Sequence, residues 1–122
     1  MKRCLIVDDS AVVRRVAQAI LSAMGYEILV AENGRQALEI CLAAAPDAIL
    51  LDWQLPEMSA HEFLANLRAK LAGRRPYIVY LTTEYDHTDI SRAFAAGANA
   101  CLMKPFDRAS LEERFQFSHL AA

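Results

Sequence analysis

Cys4-Leu5-Ile6-Val7-Asp8-Asp9 is an apolar run of strand length that stops abruptly at two adjacent carboxylates. Three further apolar runs stop at a polar side chain in the same way: residues 48–51 at Asp52, residues 77–81 at Thr82 and residues 100–103 at Lys104. Apolar runs without alternation are typical of strands covered on both faces, as in parallel sheets. Because the carboxyl ends of parallel strands share one edge, we expect these polar sites to meet in one crevice.

The bulk composition favours one independent domain. With 122 residues and 55% hydrophobic content, the chain is expected to form a single domain over residues 1–122 with its own core. A formal net charge of −2, without a Lys/Arg block, argues against a nucleic-acid partner. No apolar stretch is long enough for a membrane span. Three scattered cysteines predict reduced core residues and a cytoplasmic location, although a Cys4–Cys41 bridge is left open.

Helical periodicity fills the segments between the apolar runs. The first helix is predicted over roughly residues 10–24, with Gly25 as its stop, and the fourth over roughly residues 86–96. A short second strand is predicted at residues 28–31, and the last helix begins near Asp107. Parallel strands separated by helices need right-handed crossovers. The sequence therefore predicts an α/β fold with a doubly wound, five-stranded parallel sheet in the strand order 2-1-3-4-5.

The carboxylates in the predicted crevice favour a divalent cation. Asp8, Asp9 and Asp52 would repel one another unless they bind a proton or a cation. Together with the Lys104 ammonium they carry a formal charge of about −2, which one divalent ion cancels. Oxygen ligands of this kind suit Mg²⁺, and zinc is disfavoured because no His or Cys lies among them.

The same side chains also have the chemistry that phosphoryl transfer requires. An aspartate carboxylate such as Asp52 can act as a nucleophile toward phosphorus. The Lys104 ammonium and the Thr82 hydroxyl can each contact an oxygen of the transferred group. Phosphoryl transfer asks a protein mainly for positioning and for positive charge. The crevice is therefore predicted to be a phosphoryl-transfer site.

These residues make the chain resemble the receiver domains of two-component response regulators, and in particular single-domain receivers of the chemotaxis type. Four motifs carry the resemblance: Val7-Asp8-Asp9, Asp52-Trp53-Gln54-Leu55-Pro56, Thr82 and Lys104-Pro105-Phe106. They follow successive strands in the family's order and spacing, so the resemblance extends over essentially the whole chain. It implies a flavodoxin-like (βα)5 fold.

The resemblance also implies a role for each matching residue. Asp52 would be the phosphoacceptor, Lys104 would contact the phosphoryl group, and Thr82 would move toward it as a switch. Four residues would supply the Mg²⁺ ligands: Asp8, Asp9, Asp52 and Gln54, the last through its backbone carbonyl. Asp8 would act partly through water. The Lys104–Pro105 peptide bond would be cis.

Several positions depart from the pattern of the family. Cys101 stands where most receivers have an aromatic residue in strand five, so switching must use other groups or be weak. Thr83 is bulkier than usual and would narrow access to the site. Ser59-Ala60 replaces the common Asp-Gly, so the turn before the third helix could differ. Gln54 and Glu84 occupy positions that tune the lifetime of the acyl phosphate in similar proteins.

We therefore predict a stand-alone receiver that accepts a phosphoryl group on Asp52 from a sensor histidine kinase or a histidine phosphotransfer protein. It would act on a downstream protein target through phosphorylation-dependent binding or onward transfer, with no DNA-binding output domain in the chain. Its only catalysis would be its own phosphorylation and dephosphorylation. A homodimer through the fourth helix, fifth strand and fifth helix is left open, with Phe117 as a candidate contact.

Two alternatives remain. A pseudo-receiver would bind proteins independently of phosphorylation, which Cys101 and Ser59-Ala60 favour. A small flavin carrier or a phosphatase on a similar sheet is a third class. The flavin carrier would need a Gly/Ser/Thr-rich phosphate loop after the first strand, and the chain lacks one. The phosphatase would need a second aspartate two residues beyond Asp52, where Gln54 stands.

Overall fold

The computed structural model describes residues 2–71, 73–83 and 86–116. Strands and helices alternate along these residues in the following order: β1 (Arg3–Val7), α1 (Ala11–Ala23), β2 (Glu27–Ala31), α2 (Gly34–Ala44), β3 (Ala48–Asp52), α3 (Ala60–Lys70), β4 (Tyr77–Thr82), α4 (His87–Ala95), β5 (Ala100–Met103) and α5 (Arg108–Gln116). The predicted alternation is confirmed, and the bounds predicted for α1, β2 and α4 differ from these by one residue.

The strands form one parallel sheet in the order β2-β1-β3-β4-β5. At the carboxyl edge, Val7 of β1 pairs with Leu51 of β3, and Thr82 of β4 pairs with Met103 of β5. This register brings the ends of β1, β3, β4 and β5 to the same edge of the sheet. The predicted doubly wound, flavodoxin-like fold and its strand order are confirmed.

Two apolar layers cover the sheet, one beneath α2, α3 and α4 and the other beneath α1 and α5. Successive residues of β3 alternate between them, with Leu51 in the first layer and Leu50 in the second. Cys4 and Cys41 lie in different layers and are free thiols, so they do not form a disulfide. Burial raises the pKa of both thiols, that of Cys41 to about 12, which makes them inert core residues.

Side-chain caps start several helices at the carboxyl edge: Ser10 for α1, Asn33 for α2, Ser59 for α3 and Asp86 for α4. The Ser59 hydroxyl accepts a hydrogen bond from the Glu62 N–H at 3.0 Å, and buried Ala60 begins α3. The positive φ in this turn, 69°, occurs at Glu57. Residue 60 is helical, so this position does not require a glycine.

Helix α5 is attached to the sheet layer through its inner side chains and its backbone. Leu111 and Phe115 are fully buried. The Tyr26 hydroxyl donates to the Phe115 carbonyl at 3.2 Å, and the Tyr77 hydroxyl donates to the Arg114 carbonyl at 2.8 Å. Both tyrosine rings also meet the Phe115 ring edge-on. These contacts hold the end of α5 against β4 and the loop before β2.

Some expectations concern residues outside the described ranges. Glu84, proposed to influence the acyl phosphate, and Phe117, proposed as a dimer contact, both lie outside them. Those two expectations therefore stay predictions. Among the helices of the described ranges, none has the length and apolar character needed to cross a bilayer.

Candidate functional site

The strand ends place polar side chains together at the carboxyl edge of the sheet. Asp8 follows β1, Asp52 ends β3, Thr82 ends β4 and Lys104 follows β5. Asp8, Asp52 and Thr82 are buried, whereas Asp9 is exposed. One carboxylate oxygen from each of the three aspartates lies within 4.8 Å of the others. The structure therefore gathers these carboxylates in one crevice between β1 and β3.

Lys104 brings positive charge into this crevice. Its Nζ lies 2.7 Å from Asp8 Oδ2 and 3.5 Å from Asp52 Oδ1. Burial acts to lower the pKa of Lys104, but the hydrogen bonds and negative charges of Asp8 and Asp52 outweigh burial and raise it. The ammonium is therefore charged at neutral pH. The Lys104–Pro105 peptide bond that follows is cis, as the family resemblance implied.

Asp52 is subject to opposing influences. Burial raises its pKa, and the negative charge of Asp8 adds to that effect. The Lys104 ammonium and a hydrogen bond from the Gln54 N–H, 3.2 Å from Asp52 Oδ1, act in the opposite direction. The pKa of Asp52 nevertheless stays above its ordinary value. One cation does not compensate the carboxylates around it, so the site has an excess of negative charge.

Asp8 is anchored by groups that sequence reasoning did not assign to the site. Its Oδ1 accepts a hydrogen bond from the Ser10 N–H at 2.9 Å, while its Oδ2 faces Lys104. The Arg14 guanidinium donates to the Asp8 backbone carbonyl at 2.6 Å and lies 3.6 Å from Glu32. Arg14 thus ties α1 and the loop after β2 to the site. The sequence alone did not point to Arg14, because its contacts depend on how α1 packs against the end of β1.

Thr82 connects the site to the loop after β5. It is buried at the end of β4, and its backbone carbonyl accepts a hydrogen bond from the Lys104 N–H at 2.8 Å. The neighbouring Thr83 is exposed. Thr82 and Lys104 are therefore linked through the backbone, so a displacement of one bears directly on the other.

An aromatic cluster adjoins the site. Trp53, which follows Asp52, meets the Tyr80 ring edge-on at 5.1 Å and the His61 ring at 6.4 Å. Tyr80 is fully buried and pairs in register with Cys101 of β5. The large side chain in this part of the sheet therefore belongs to β4. The sequence predicted a small residue, Cys101, at this place in β5. It did not predict that Tyr80 lies beside Cys101, because that contact depends on the register of β4 against β5.

The donor set fits a magnesium ion. Among the described residues, three carboxylates with oxygens within 4.8 Å of one another face the Lys104 ammonium, so this set has an excess of negative charge. Mg²⁺ prefers oxygen ligands and keeps several waters, so a partly open site with exposed Asp9 suits it. Asp8, Asp9 and Asp52 are the residues that could hold the ion.

Comparison with known proteins identifies the family of the chain. The family model described as the response regulator receiver domain matches residues 4–116 of the chain. The chain therefore belongs to the response regulator receiver domain family. Its strand order and its acidic strand ends agree with that membership.

Individual proteins similar to the chain agree with this family membership. Chemotaxis protein CheY1 of Helicobacter pylori strain J99 is 35% identical over 116 residues, which cover 93% of this chain and 94% of that protein. The phosphate regulon transcriptional regulatory protein PhoB of Pseudomonas aeruginosa is 37% identical over 116 residues, which cover 94% of this chain but 50% of PhoB. Chemotaxis response regulator CheY4 of Vibrio cholerae has a similar solved structure, with a TM-score of 0.90 and 33% identity over 97% of this chain and 98% of that one.

Proposed function

We propose that the chain accepts a phosphoryl group on Asp52, in an Mg²⁺-dependent reaction, from a phosphohistidine on a sensor histidine kinase or a histidine phosphotransfer protein. The observation that carries the proposal is one largely buried ammonium between two carboxylates: Lys104 Nζ lies 2.7 Å from Asp8 Oδ2 and 3.5 Å from Asp52 Oδ1. A purely structural ion pair would need one carboxylate. The additional buried carboxylate and nearby Asp9 support a site built for further positive charge.

In the proposed transfer step, a carboxylate oxygen of Asp52 forms a bond to phosphorus while the P–N bond of the phosphohistidine breaks. The imidazole leaves with the bonding electron pair and takes up a proton. Burial and the charge of Asp8 make the Asp52 oxygens more basic than those of an exposed aspartate. Lys104 and the Gln54 N–H favour the ionised form, which is the nucleophile.

Lys104 and Thr82 are the proposed ligands of the transferred group. Lys104 is already held at 2.7 Å by Asp8, so its ammonium can reach a phosphoryl oxygen without losing its anchor. The Thr82 hydroxyl would donate to a second oxygen. Because the Thr82 carbonyl accepts from the Lys104 N–H, movement of Thr82 would pull on the loop after β5. That coupling offers a route from Asp52 to the surface of α4, β5 and α5.

The proposed Mg²⁺ ligands are the following four residues: Asp8, Asp9, Asp52 and the backbone carbonyl of Gln54. When bound, Mg²⁺ would neutralise the carboxylates and the charge on the phosphoryl oxygens. Asp9 is the exposed member of the set, so it can bind the ion with little movement of the buried residues.

Intact mass spectrometry after incubation with Mg²⁺ and acetyl phosphate tests the proposed acceptor. We expect the wild-type chain to gain the mass of one phosphoryl group and Asp52→Asn to gain none. Asp47→Asn is the matched control. Asp47 is an exposed carboxylate that directly precedes β3, at the opposite end of this strand from Asp52. If the folded wild-type chain gains no mass, the proposal fails and a phosphorylation-independent interaction module becomes the better description.

A fluorescence titration with MgCl₂ tests the metal ligands separately. Trp53 is the sole tryptophan of the chain and follows Asp52, so its emission should respond to the ion. Asp9→Asn should raise the half-saturating Mg²⁺ concentration by about tenfold or more, whereas Asp86→Asn, at an exposed helix cap, should not change it. Equal Mg²⁺ responses in the two variants would remove Asp9 from the ligand set.

Protein partners are expected to bind the phosphorylated form at the surface of α4, β5 and α5. Phe94 and Met103 are exposed large apolar side chains on two of these elements. A downstream protein target or a second copy of the chain would bind there, with residues 1–122 acting as one receiver domain in the cytoplasm. Sedimentation of the wild-type chain with and without acetyl phosphate tests the homodimer, since an unchanged sedimentation coefficient would exclude it under those conditions.

A further inference from the structure

A second concave site lies at the opposite edge of the sheet from the carboxylates. A cleft of about 440 Å³ opens between the C-terminal ends of α2 and α3, the starts of β3 and β4, and the turn after α4. Its volume falls in the range of roughly 300–1,000 Å³ that is usual for sites of small organic ligands. None of the residues proposed for phosphoryl transfer lines it.

Among the described residues that line this cleft, the charged ones are almost all cations, with Asp47 as the single acid: Lys2, Arg68, Arg74 and Arg75. The Asp47 carboxylate is occupied, since its Oδ2 accepts a hydrogen bond from the Arg3 N–H at 2.8 Å. Arg74 and Arg75 are exposed and, within the described part of the chain, take part in no ion pair. The whole chain has a net charge of −2, so this concentration of positive charge is local.

Arg68 is held in place beside the cleft. Its Nη2 donates to the Ala95 carbonyl, at the end of α4, at 3.4 Å. A Cβ placed on Gly97, which has a φ of +119°, would lie 3.1 Å from the same nitrogen. The end of α4 and the turn after it therefore lie against one side of this exposed guanidinium. A cation whose position is partly restricted in this way loses less conformational entropy when it binds an anion.

The inner wall of the cleft is apolar. Leu64 and Leu67 of α3 and Ile78 of β4 are buried side chains that form its floor, and half-buried Leu71 and Pro76 extend this apolar lining toward the opening. An inorganic anion would leave such a wall without a partner. A long nucleic acid needs an extended basic surface, and a single cleft on an acidic chain does not offer one. The wall and the cations together suit a ligand with an apolar body and a charged end.

We propose that this cleft is a binding site for a small organic anion, with an aromatic or aliphatic body against half-buried Leu71 and Pro76, above the apolar floor, and a carboxylate, phosphate or sulfonate facing Arg68 and Arg75. The cleft shares β3 and β4 with the acidic site but none of its functional groups. The proposal therefore stands independently of phosphoryl transfer.

Paired probes that differ only in charge test the proposal on the full chain. 8-Anilinonaphthalene-1-sulfonate carries an aromatic body and a sulfonate, and N-phenyl-1-naphthylamine has the same body without the sulfonate. We expect the sulfonate to bind about tenfold more tightly and its affinity to fall with added salt. In ¹H–¹⁵N correlation spectra, the shifted amides should cluster at residues 64–71, 75–78 and 96–99. Equal affinities, or shifts centred elsewhere, would overturn the proposal.

Charge-neutral variants localise the anion. Arg68→Gln and Arg75→Gln should each weaken binding of the sulfonate probe by about fivefold to tenfold, while Arg15→Gln, an exposed arginine on α1, should leave it unchanged. Thermal unfolding confirms that each variant is folded, and acetyl phosphate labelling should be equal in all three because none touches Asp52. If Arg15→Gln weakens binding as much as the cleft variants do, the probe is responding to general charge and the assignment is wrong.

Discussion

The two edges of the sheet differ in how their charges are held. At the carboxyl edge, Asp8 and Asp52 are buried, and the Lys104 ammonium lies within 3.5 Å of both. At the amino edge, Arg74 and Arg75 stand in solvent beside an apolar cleft. The same apolar strands separate the two sets. The charged groups at the carboxyl edge interact directly with one another, whereas those at the amino edge are stabilised mainly by water.

This difference has energetic consequences. In a buried cluster, removal of one charged group leaves its partners desolvated and unpaired, which is costly. On an exposed rim, water replaces whatever a substitution removes, so stability changes little. Substitutions near the carboxyl edge should therefore alter the free energy of unfolding far more than substitutions at the amino edge. Four measurements by urea or thermal unfolding test this contrast.

Tyr80→Ala should produce the largest loss of stability. The Tyr80 ring is fully buried beneath α3 and α4 and meets Trp53 edge-on, so truncation removes packing and leaves a cavity. We expect the free energy of unfolding to fall by about 3–5 kcal/mol. Urea titration followed by circular dichroism measures it. Tyr80→Phe keeps the ring and should lose much less; similar losses in the two variants would show that packing is not the main contribution.

Lys104→Met should cause the next largest loss of stability. The substitution keeps most of the side-chain volume but leaves the charges of Asp8 and Asp52 without their cation. We expect a loss of about 2–4 kcal/mol in the absence of divalent ions. Lys70→Met, at an exposed position near the end of α3, is the matched control. A loss no larger than that of the control would contradict the view that the carboxyl edge is an interdependent cluster.

Asp107→Ala should have a smaller, pH-dependent effect. The Asp107 carboxylate accepts a hydrogen bond from the Ser110 N–H at 2.8 Å, at the start of α5, and this bond and the Ser110 side chain lower the pKa of Asp107. An acid with a lowered pKa stabilises the folded state above its unfolded pKa and loses that contribution as pH falls through its folded pKa.

The difference in melting temperature between wild type and Asp107→Ala should therefore be present at pH 7 and shrink below about pH 4, where the carboxyl group begins to protonate. Asp107→Asn keeps an acceptor for the helix N–H and should show a smaller deficit at pH 7. A wild-type advantage that is independent of pH would indicate that the ionised carboxylate is not the stabilising form.

Arg75→Gln should change stability least. Arg75 is exposed and forms no ion pair with the described residues, so we expect the free energy of unfolding to stay within about 0.5 kcal/mol of wild type. Thermal unfolding measures the change. A loss comparable to that of Lys104→Met would mean that the amino edge is as interdependent as the carboxyl edge.

Much of the fold and the carboxyl-edge cluster could be predicted because their signals are local. Four of the five strands contain an unbroken apolar run that ends at a polar side chain, and parallel pairing must bring those ends to one edge. The anchoring role of Arg14 was not predictable, because it requires the position of α1 over the end of β1. Nor was the proximity of Tyr80 to Cys101, which depends on the register of β4 against β5.

Short-range pattern thus accounts for the order of the elements and for the meeting of Asp8, Asp52 and Lys104, because hydrophobic periodicity and strand polarity leave few other arrangements. Tertiary packing alone settled which of these charges are buried, what anchors them, and where the cationic cleft opens. Burial, pKa shifts and clefts arise from atoms that are distant in the chain and adjacent in space, so no local run of residues encodes them.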